Sequence, residues 1–356
     1  MKGYLVLEDG TVFEGMPFGF SKDVIGEVVF STGMTGYQES LTDPSYCGQI
    51  LVSAYPLVGN YGVNKGDSQS GKVQVWGYAV REACGHPSHR DSRGTLDSFL
   101  ASDQVPGIQG IDTRELIRKL RNSGTMMGGI TAGDPEGMLE RVRKARHPEL
   151  SNLVAAVSTG KVLRFPRPGA KRVVVLDCGV KEDIMRELRE RFDVVQTPFD
   201  IGADAVRDLS PDGIFITNGP GNPAHPEMME KTVSTLARLK EELPMMGICL
   251  GNQLLALMMG ARTFKLKFGH RGINQPVGFE GRVLITSQNH GFAVDRASAE
   301  DAGLDVTFTN LNDGTVEGIR HCELPIFSVQ FHPEAHAGPL DSRFLFDRFK
   351  DMLEGD

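Results

Sequence analysis

The 356-residue sequence has no basic excess. It carries 38 Lys and Arg against 46 Asp and Glu, a net charge of −8. Nucleic-acid binders show a basic excess or stripe, so that class is set aside, and the acidic balance speaks only for solubility. Cysteines are few: Cys47, Cys84, Cys178, Cys249 and Cys322, odd in number, scattered and without a C-x-x-C pair. This excludes a disulfide framework and points to a reducing compartment, the cytoplasm. No Asn-x-Ser/Thr signal occurs, and the start, M-K-G-Y-L-V-L-E-D-G, lacks the long apolar run of a signal peptide. The most apolar stretch, Pro244–Ala261, is broken by Asn252, Gln253 and glycines, whereas a membrane span needs about 20 cleaner residues. No repeat or low-complexity segment is present, and the glycines and prolines have no fixed period.

What remains is ordinary globular composition, 40% hydrophobic and 24% charged, at a length that suits about two domains. In the first half, Tyr4–Leu7 and Thr11–Phe13 flank an Asp9-Gly10 hairpin signal. Val28–Phe30, Ile50–Ala54 and Val73–Val80 read as further strands. Thr95–Ala101 and Asp112–Arg121 read as helices, the second with Asp112 or Thr113 as N-cap. The stretch Lys161–Lys171, K-V-L-R-F-P-R-P-G-A-K, reads as a linker. Beyond it, strands at Arg172–Leu176, Val194–Gln196, Gly213–Thr217 and Met245–Ile248 alternate with helices at Glu182–Arg191 and Pro226–Leu239. That grammar implies a parallel, doubly wound sheet. Val283–Thr286, Val306–Thr309, Val316–Ile319 and Ile326–Phe331 are β-like again.

The chemistry concentrates in Met245–Gly260, M-M-G-I-C-L-G-N-Q-L-L-A-L-M-M-G. A buried strand runs into G-x-C-x-G and then a helix, the thiol form of a nucleophile elbow. Small flanking residues let the chain turn sharply at Cys249. The helix N-terminus offers free N–H groups and a positive field, which favour a thiolate and can hold an oxyanion. A thiol nucleophile needs a base. In F-S-V-Q-F-H-P-E, His332 and Glu334 are two residues apart and point to one side of an extended chain. Glu334 can then orient the imidazole that faces Cys249, giving a Cys–His–Glu triad.

G-I-C-L-G-N-Q followed by F-H-P-E resembles the class I (triad) glutamine amidotransferases, and T-N-G-P-G-N-P at Thr217–Pro223 matches their glycine-rich oxyanion loop. Four further stretches resemble the small subunit of carbamoyl phosphate synthetase. They are Met34–Tyr46, Gly110–Leu116, Lys267–Pro276 and Ser287–Val294, and the likeness spans essentially the whole chain. The resemblance implies an α/β fold: a mixed α and β domain over 1–165 that docks a partner, then a doubly wound, mostly parallel-sheet amidotransferase domain over 171–356. It implies that Cys249 attacks a glutamine amide, with His332 and Glu334 as base and orienter. Oxyanion N–H groups would come from Gly221 and Leu250. The glutamine site would comprise Ser45, Gly219, Gly221, Leu250, Gln253, Asn289, Gly291 and Phe292. It further implies a large synthetase subunit that uses ATP, Mg²⁺ and bicarbonate to make carbamoyl phosphate for arginine and pyrimidines. This chain itself would need no cofactor or metal, and would bind neither nucleic acid nor membrane.

Departures are few. The family usually has His where Asn252 stands, an aromatic where Cys178 stands, and a different segment at Ser88–Asp91. Cys178 reads as a spectator at a strand end. Gly66–Val73, G-D-S-Q-S-G-K-V, approaches a P-loop but puts Val73 where a Mg²⁺-binding hydroxyl belongs. Cys84, His86 and His89 lack a second ligand cluster. His270 and His290, both within family motifs, read most simply as loop hydrogen-bonding groups. Two other readings stay open at this level: a free-standing amidotransferase or γ-glutamyl hydrolase, and a catalytically silent scaffold.

Overall fold

The computed structural model describes residues 2–355. They form two units that divide between Ser151 and Asn152. In the first unit, β1 (Gly3–Leu7), β2 (Val12–Gly19), β3 (Val24–Ser31) and β4 (Gln49–Ser53) are followed by a short β5 (Leu57–Val58). Then come β6 (Gly77–Val80), a short β7 (Glu82–Ala83), β8 (Pro106–Gln109) and β9 (Met126–Thr131). Seven of these close a barrel in the order β1-β2-β8-β6-β4-β3-β9, and β5 and β7 pair apart. The Asp9-Gly10 signal makes the β1–β2 turn, with Gly10 at φ 94°. Helices Leu96–Ser102 and Thr113–Ser123 start where expected; the Thr95 hydroxyl caps the first and the Asp112 carboxylate the second. The strand expected over Val73–Val80 is shorter. The N–H groups of Gln74 and Val75 are drawn to the Leu41 carbonyl, so only Gly77–Val80 joins the barrel. The near-P-loop therefore leads to a strand, not to the helix a phosphate loop requires.

The second unit holds β10 (Leu163–Phe165), β11 (Arg172–Asp177), β12 (Asp193–Pro198), β13 (Gly213–Ile216), β14 (Met245–Ile248), β15 (Thr263–Phe279), β16 (Arg282–Val294), β17 (Leu304–Asn310), β18 (Val316–His321) and β19 (Ile326–Val329). One sheet runs in the order β10-β12-β11-β13-β14-β19-β18-β17-β15-β16. Its centre, β12 to β19, is parallel, and antiparallel strands extend both sides. Strand β11 shows why helices cover both faces. Val174 and Leu176 join one core cluster with Leu236, Leu254 and Leu255, while Val173 and Val175 join another with Leu188, Phe346 and Phe349. A strand buried on both sides reads as an unbroken apolar run, as Arg172–Leu176 does.

Three expectations are corrected here. The Lys161–Lys171 linker contains β10, because Leu163 and Phe165 alternate with Arg164 and pair with the edge of β12 before Pro166. The preceding segment already belongs to the second unit: Val154 is buried in its core, and the Thr159 N–H donates to Asp177 at 2.8 Å. The helix expected over Pro226–Leu239 carries a π-helical stretch at Met229–Val233. Finally, His270 and His290, within Lys267–Pro276 and Ser287–Val294, are not in loops. They lie on β15 and β16, a long hairpin whose polar, glycine-broken strands hide the two-residue alternation. Among the described residues no helix is long and apolar enough to cross a membrane.

Candidate active site

Strands β14 and β19 lie side by side in parallel, Ile248 opposite Val329. Their C-terminal ends therefore emerge together, where parallel sheets place their sites. Cys249 follows β14 directly, and its N–H donates to the Val329 carbonyl at 2.8 Å. Its φ of 56° and ψ of −102° lie far from the ordinary regions for a side-chain-bearing residue. The flanking glycines make this turn possible. A Cβ on Gly247 would stand 2.6 Å from the Gly251 carbonyl carbon, and one on Gly251 would stand 2.3 Å from the Ile216 oxygen. Helix Leu250–Met258 begins at the next residue.

His332 comes three residues after β19, and its N–H donates to the Ser287 carbonyl at 2.9 Å. Its Nδ1 lies 2.6 Å from Glu334 Oε1, and both side chains are buried. Nε2 is buried with no well-formed hydrogen bond of its own, and the Cys249 thiol is among the groups that raise the imidazole's pKa. Burial would push His332 down, but the Glu334 carboxylate overrides it and holds the imidazole protonated well above its usual range. Burial would likewise push Glu334 up, yet Lys181 and then His332 keep it a carboxylate.

Lys181 is the residue that sequence reasoning missed. Its Nζ sits 2.9 Å from Glu334 Oε1 and donates to the Ala335 carbonyl at 3.2 Å. The only signal was a lysine right after a strand end, in D-C-G-V-K, and nothing in spacing says that such a lysine turns inward. Next to it, Cys178 is fully buried and burial pushes its thiol far up, which suits a spectator.

The glycine-rich loop after β13 is tied to the elbow: the Gly251 N–H donates to the Thr217 carbonyl at 3.1 Å. Gly219 sits so tightly that a Cβ would stand 2.1 Å from the Cys178 oxygen and 2.9 Å from Leu250 Cδ2. Gly221 has φ 89°. Leu250 opens its helix, where an N–H has no intrahelical acceptor. The Gln253 amide nitrogen donates to the Phe292 carbonyl at 2.8 Å and to Gln330 Oε1 at 3.0 Å. The Cys249 thiol faces the Asn289 carbonyl at 3.6 Å. Asn289 is thus a strand residue lying across the sulfur, with Gly291 and Phe292 just beyond it. Asn252 is buried against Ser328 and Gln330. Ser45 lies in the first unit, buried in the turn Pro44–Tyr46, where its N–H donates to Asp43 at 2.8 Å.

His270 and His290 are likewise not loop residues. They face each other across β15 and β16, buried, with Glu317 beside them. Their ring nitrogens and the carboxylate lie within 4.8 Å of one another. His270 already spans Asp313 at 2.9 Å and Glu317 at 3.4 Å, which raise its pKa against burial. With both of its nitrogens facing carboxylates, His270 ties the cluster into an ion-pair network.

Residues 5–130 match the carbamoyl-phosphate synthase small chain CPSase domain, and residues 174–352 match the class-I glutamine amidotransferase family. The carbamoyl phosphate synthase small chain of Archaeoglobus fulgidus is 50% identical, covering 99% of both chains. That of Methanopyrus kandleri is 49% identical, also over 99% of both. A solved structure, a glutamine amidotransferase from Thermotoga maritima, covers 52% of this chain and 84% of its own at 21% identity and a TM-score of 0.36. With Cys249, His332 and Glu334 set beyond the ends of two parallel strands and full-length relatives near half identity, the chain belongs to the carbamoyl phosphate synthase small chain family, the glutaminase subunits of that enzyme.

Proposed function

We propose that this chain hydrolyses L-glutamine through a Cys249 thioester and passes the ammonia directly to a large synthetase chain. The observation that carries the chemistry is the 2.6 Å His332–Glu334 contact beside a strained, helix-opening Cys249. Cys249 Sγ attacks the side-chain carboxamide carbon, its proton held by His332. The resulting oxyanion is met by the N–H groups of Leu250 and Gly221. Imidazolium Nε2 then protonates the leaving nitrogen, the C–N bond breaks, and ammonia departs from a γ-glutamyl thioester. Neutral His332 takes a proton from water, the hydroxide adds to the thioester, and expulsion of the sulfur releases glutamate. Gly219, Gln253, Asn289, Gly291 and Phe292 would hold the substrate.

Ammonia in neutral water is mostly protonated and then no longer nucleophilic, so a chain that makes it serves a neighbour that consumes it. The large chain would supply ATP, Mg²⁺ and bicarbonate chemistry, the first unit would dock it, and the cytoplasm is the compartment that suits free thiols. The test is a paired assay on the complex. Cys249→Ser should abolish glutamine-dependent carbamoyl phosphate synthesis while added ammonia still supports it. Equal loss of both activities would overturn the division of labour.

A further inference from the structure

We propose that His270, His290 and Glu317, with Gln288 as a fourth donor, form a structural zinc site that ties β16 to β18 beside the nucleophile. The inference does not depend on glutamine turnover.

Each imidazole is held from outside by an acceptor and turned inward on the same carboxylate. His270 Nε2 lies 2.9 Å from Asp313 Oδ2, and its Nδ1 lies 3.4 Å from Glu317 Oε1. His290 Nδ1 lies 2.8 Å from the Phe292 carbonyl, and its Nε2 lies 3.9 Å from Glu317 Oε1. Metal-binding histidines are set in this way: the outer N–H donates to a carboxylate or a carbonyl, and the inner nitrogen is left for the ion. Gln288 adds an oxygen 3.3 Å from His290 Nε2. Its orientation is fixed, because its nitrogen donates to the Thr286 hydroxyl at 3.2 Å and that hydroxyl already donates to the Gln275 carbonyl. Asn310 Nδ2, 3.4 Å from His270 Nδ1, donates to Glu317 Oε1 at 3.0 Å and holds the carboxylate in place. The other oxygen, Oε2, is buried with no hydrogen bond.

Protons alone fill this centre badly. All four ring nitrogens face oxygen, so each ring would need a second proton. Two imidazolium rings would then stand 4.9 Å apart, next in sequence to the buried Arg271, with Glu317 as their fully buried counter-ion. One Zn²⁺ carries the same charge as the two inner protons it displaces, and it turns their mutual repulsion into shared ligation. Two nitrogens and two oxygens suit a four-coordinate zinc ion, whose donors at about 2.0–2.2 Å stand roughly 3.3–3.6 Å apart in a tetrahedron. The Glu317 edges of 3.4 and 3.9 Å are already close to that, and the three ligand atoms lie within 4.8 Å of one another. Zinc here would pin the strand whose Asn289 carbonyl stands 3.6 Å from the thiol.

The test uses the untagged full chain carrying Cys249→Ala, so that the thiol and His332 do not compete for metal. After incubation with zinc chloride and gel filtration, elemental analysis should find about one zinc per chain. Cobalt in its place should give the visible bands of a tetrahedral ion. Glu317→Gln keeps the shape and removes the anionic ligand, and should weaken zinc binding about a hundredfold or more. Asp313→Ala removes only the partly exposed outer carboxylate and should weaken it about 10–100-fold, which decides the matter if Glu317→Gln does not fold. Less than about half an equivalent of zinc overturns the inference. So does equal zinc affinity in the parent chain and either folded variant, which would mark adventitious binding elsewhere.

Discussion

The buried Lys181–Glu334 pair can be tested quantitatively by a double-mutant cycle. Both side chains are nearly inaccessible, 5% and 0% exposed, and their charged atoms are 2.9 Å apart. Removing one member of such a pair leaves an uncompensated charge in the interior and costs about 3–5 kcal/mol. The two single variants should not be equal. Lys181→Met leaves Glu334 its 2.6 Å contact with His332, so its cost should fall toward the lower end. Glu334→Gln strands the ammonium with no carboxylate at Oε1 and should fall toward the upper end. The double variant removes both charges, so it should be more stable than the sum of the singles implies, by about 2–3 kcal/mol. Urea unfolding of the full chain measures this, but the probe matters. The only tryptophan, Trp76, and all six tyrosines precede residue 80, so fluorescence reports the first unit alone. Far-UV dichroism, together with thiol exchange at fully buried Cys178, follows the second. Additivity within about 0.5 kcal/mol would show that the two charges do not depend on each other, and would refute the account of why Glu334 stays ionised.

The same groups set a pH signature. His332 is raised to about 10, so its contribution to stability is complete below its ordinary range near pH 6.5 and is lost as pH rises through about 10. Glu334 is lowered to about 2, so its contribution is present above about pH 4.5 and is lost as pH falls through about 2. Melting temperatures of the second unit should therefore decline from pH 6.5 toward 10, and Glu334→Gln should flatten that decline; an unchanged slope in the variant contradicts the assignment. In the oxyanion loop, Gly219→Ala should destabilise by about 1–3 kcal/mol and suppress glutamate release, because the Cys178 main chain at 2.1 Å cannot yield as a side chain could. Gly160→Ala, with nothing within 4 Å, should leave both unchanged, and matching effects at the two glycines would remove the steric argument.

The parallel core was legible because its strands are buried on both faces and read as continuous apolar runs, Arg172–Leu176 and Met245–Ile248 among them. Cys249 was legible because a tight elbow demands small neighbours, and those leave a pattern of glycines. Closure of the first unit into a barrel was not legible. It depends on β1 pairing with β9 across more than a hundred residues, and no local alternation encodes a distant partner. The β15–β16 hairpin escaped for a different reason. Its middle carries buried polar side chains, His270, Arg271, Asn289 and His290, whose burial is made tolerable by one another rather than by hydrophobicity. Lys181 belongs with these. A lysine is read as solvated by default, and only the position of Glu334, over 150 residues later, makes it an interior group.

The backbone at Cys249 has an evolutionary edge to it. The torsions that lift the sulfur clear of the sheet suit an achiral residue better than any other, so glycine there would relax the chain while erasing its chemistry. Drift under pressure for robustness alone would trade the thiol away. A lineage that keeps cysteine at this corner is being held there against its own conformational preference, by selection for what the sulfur does.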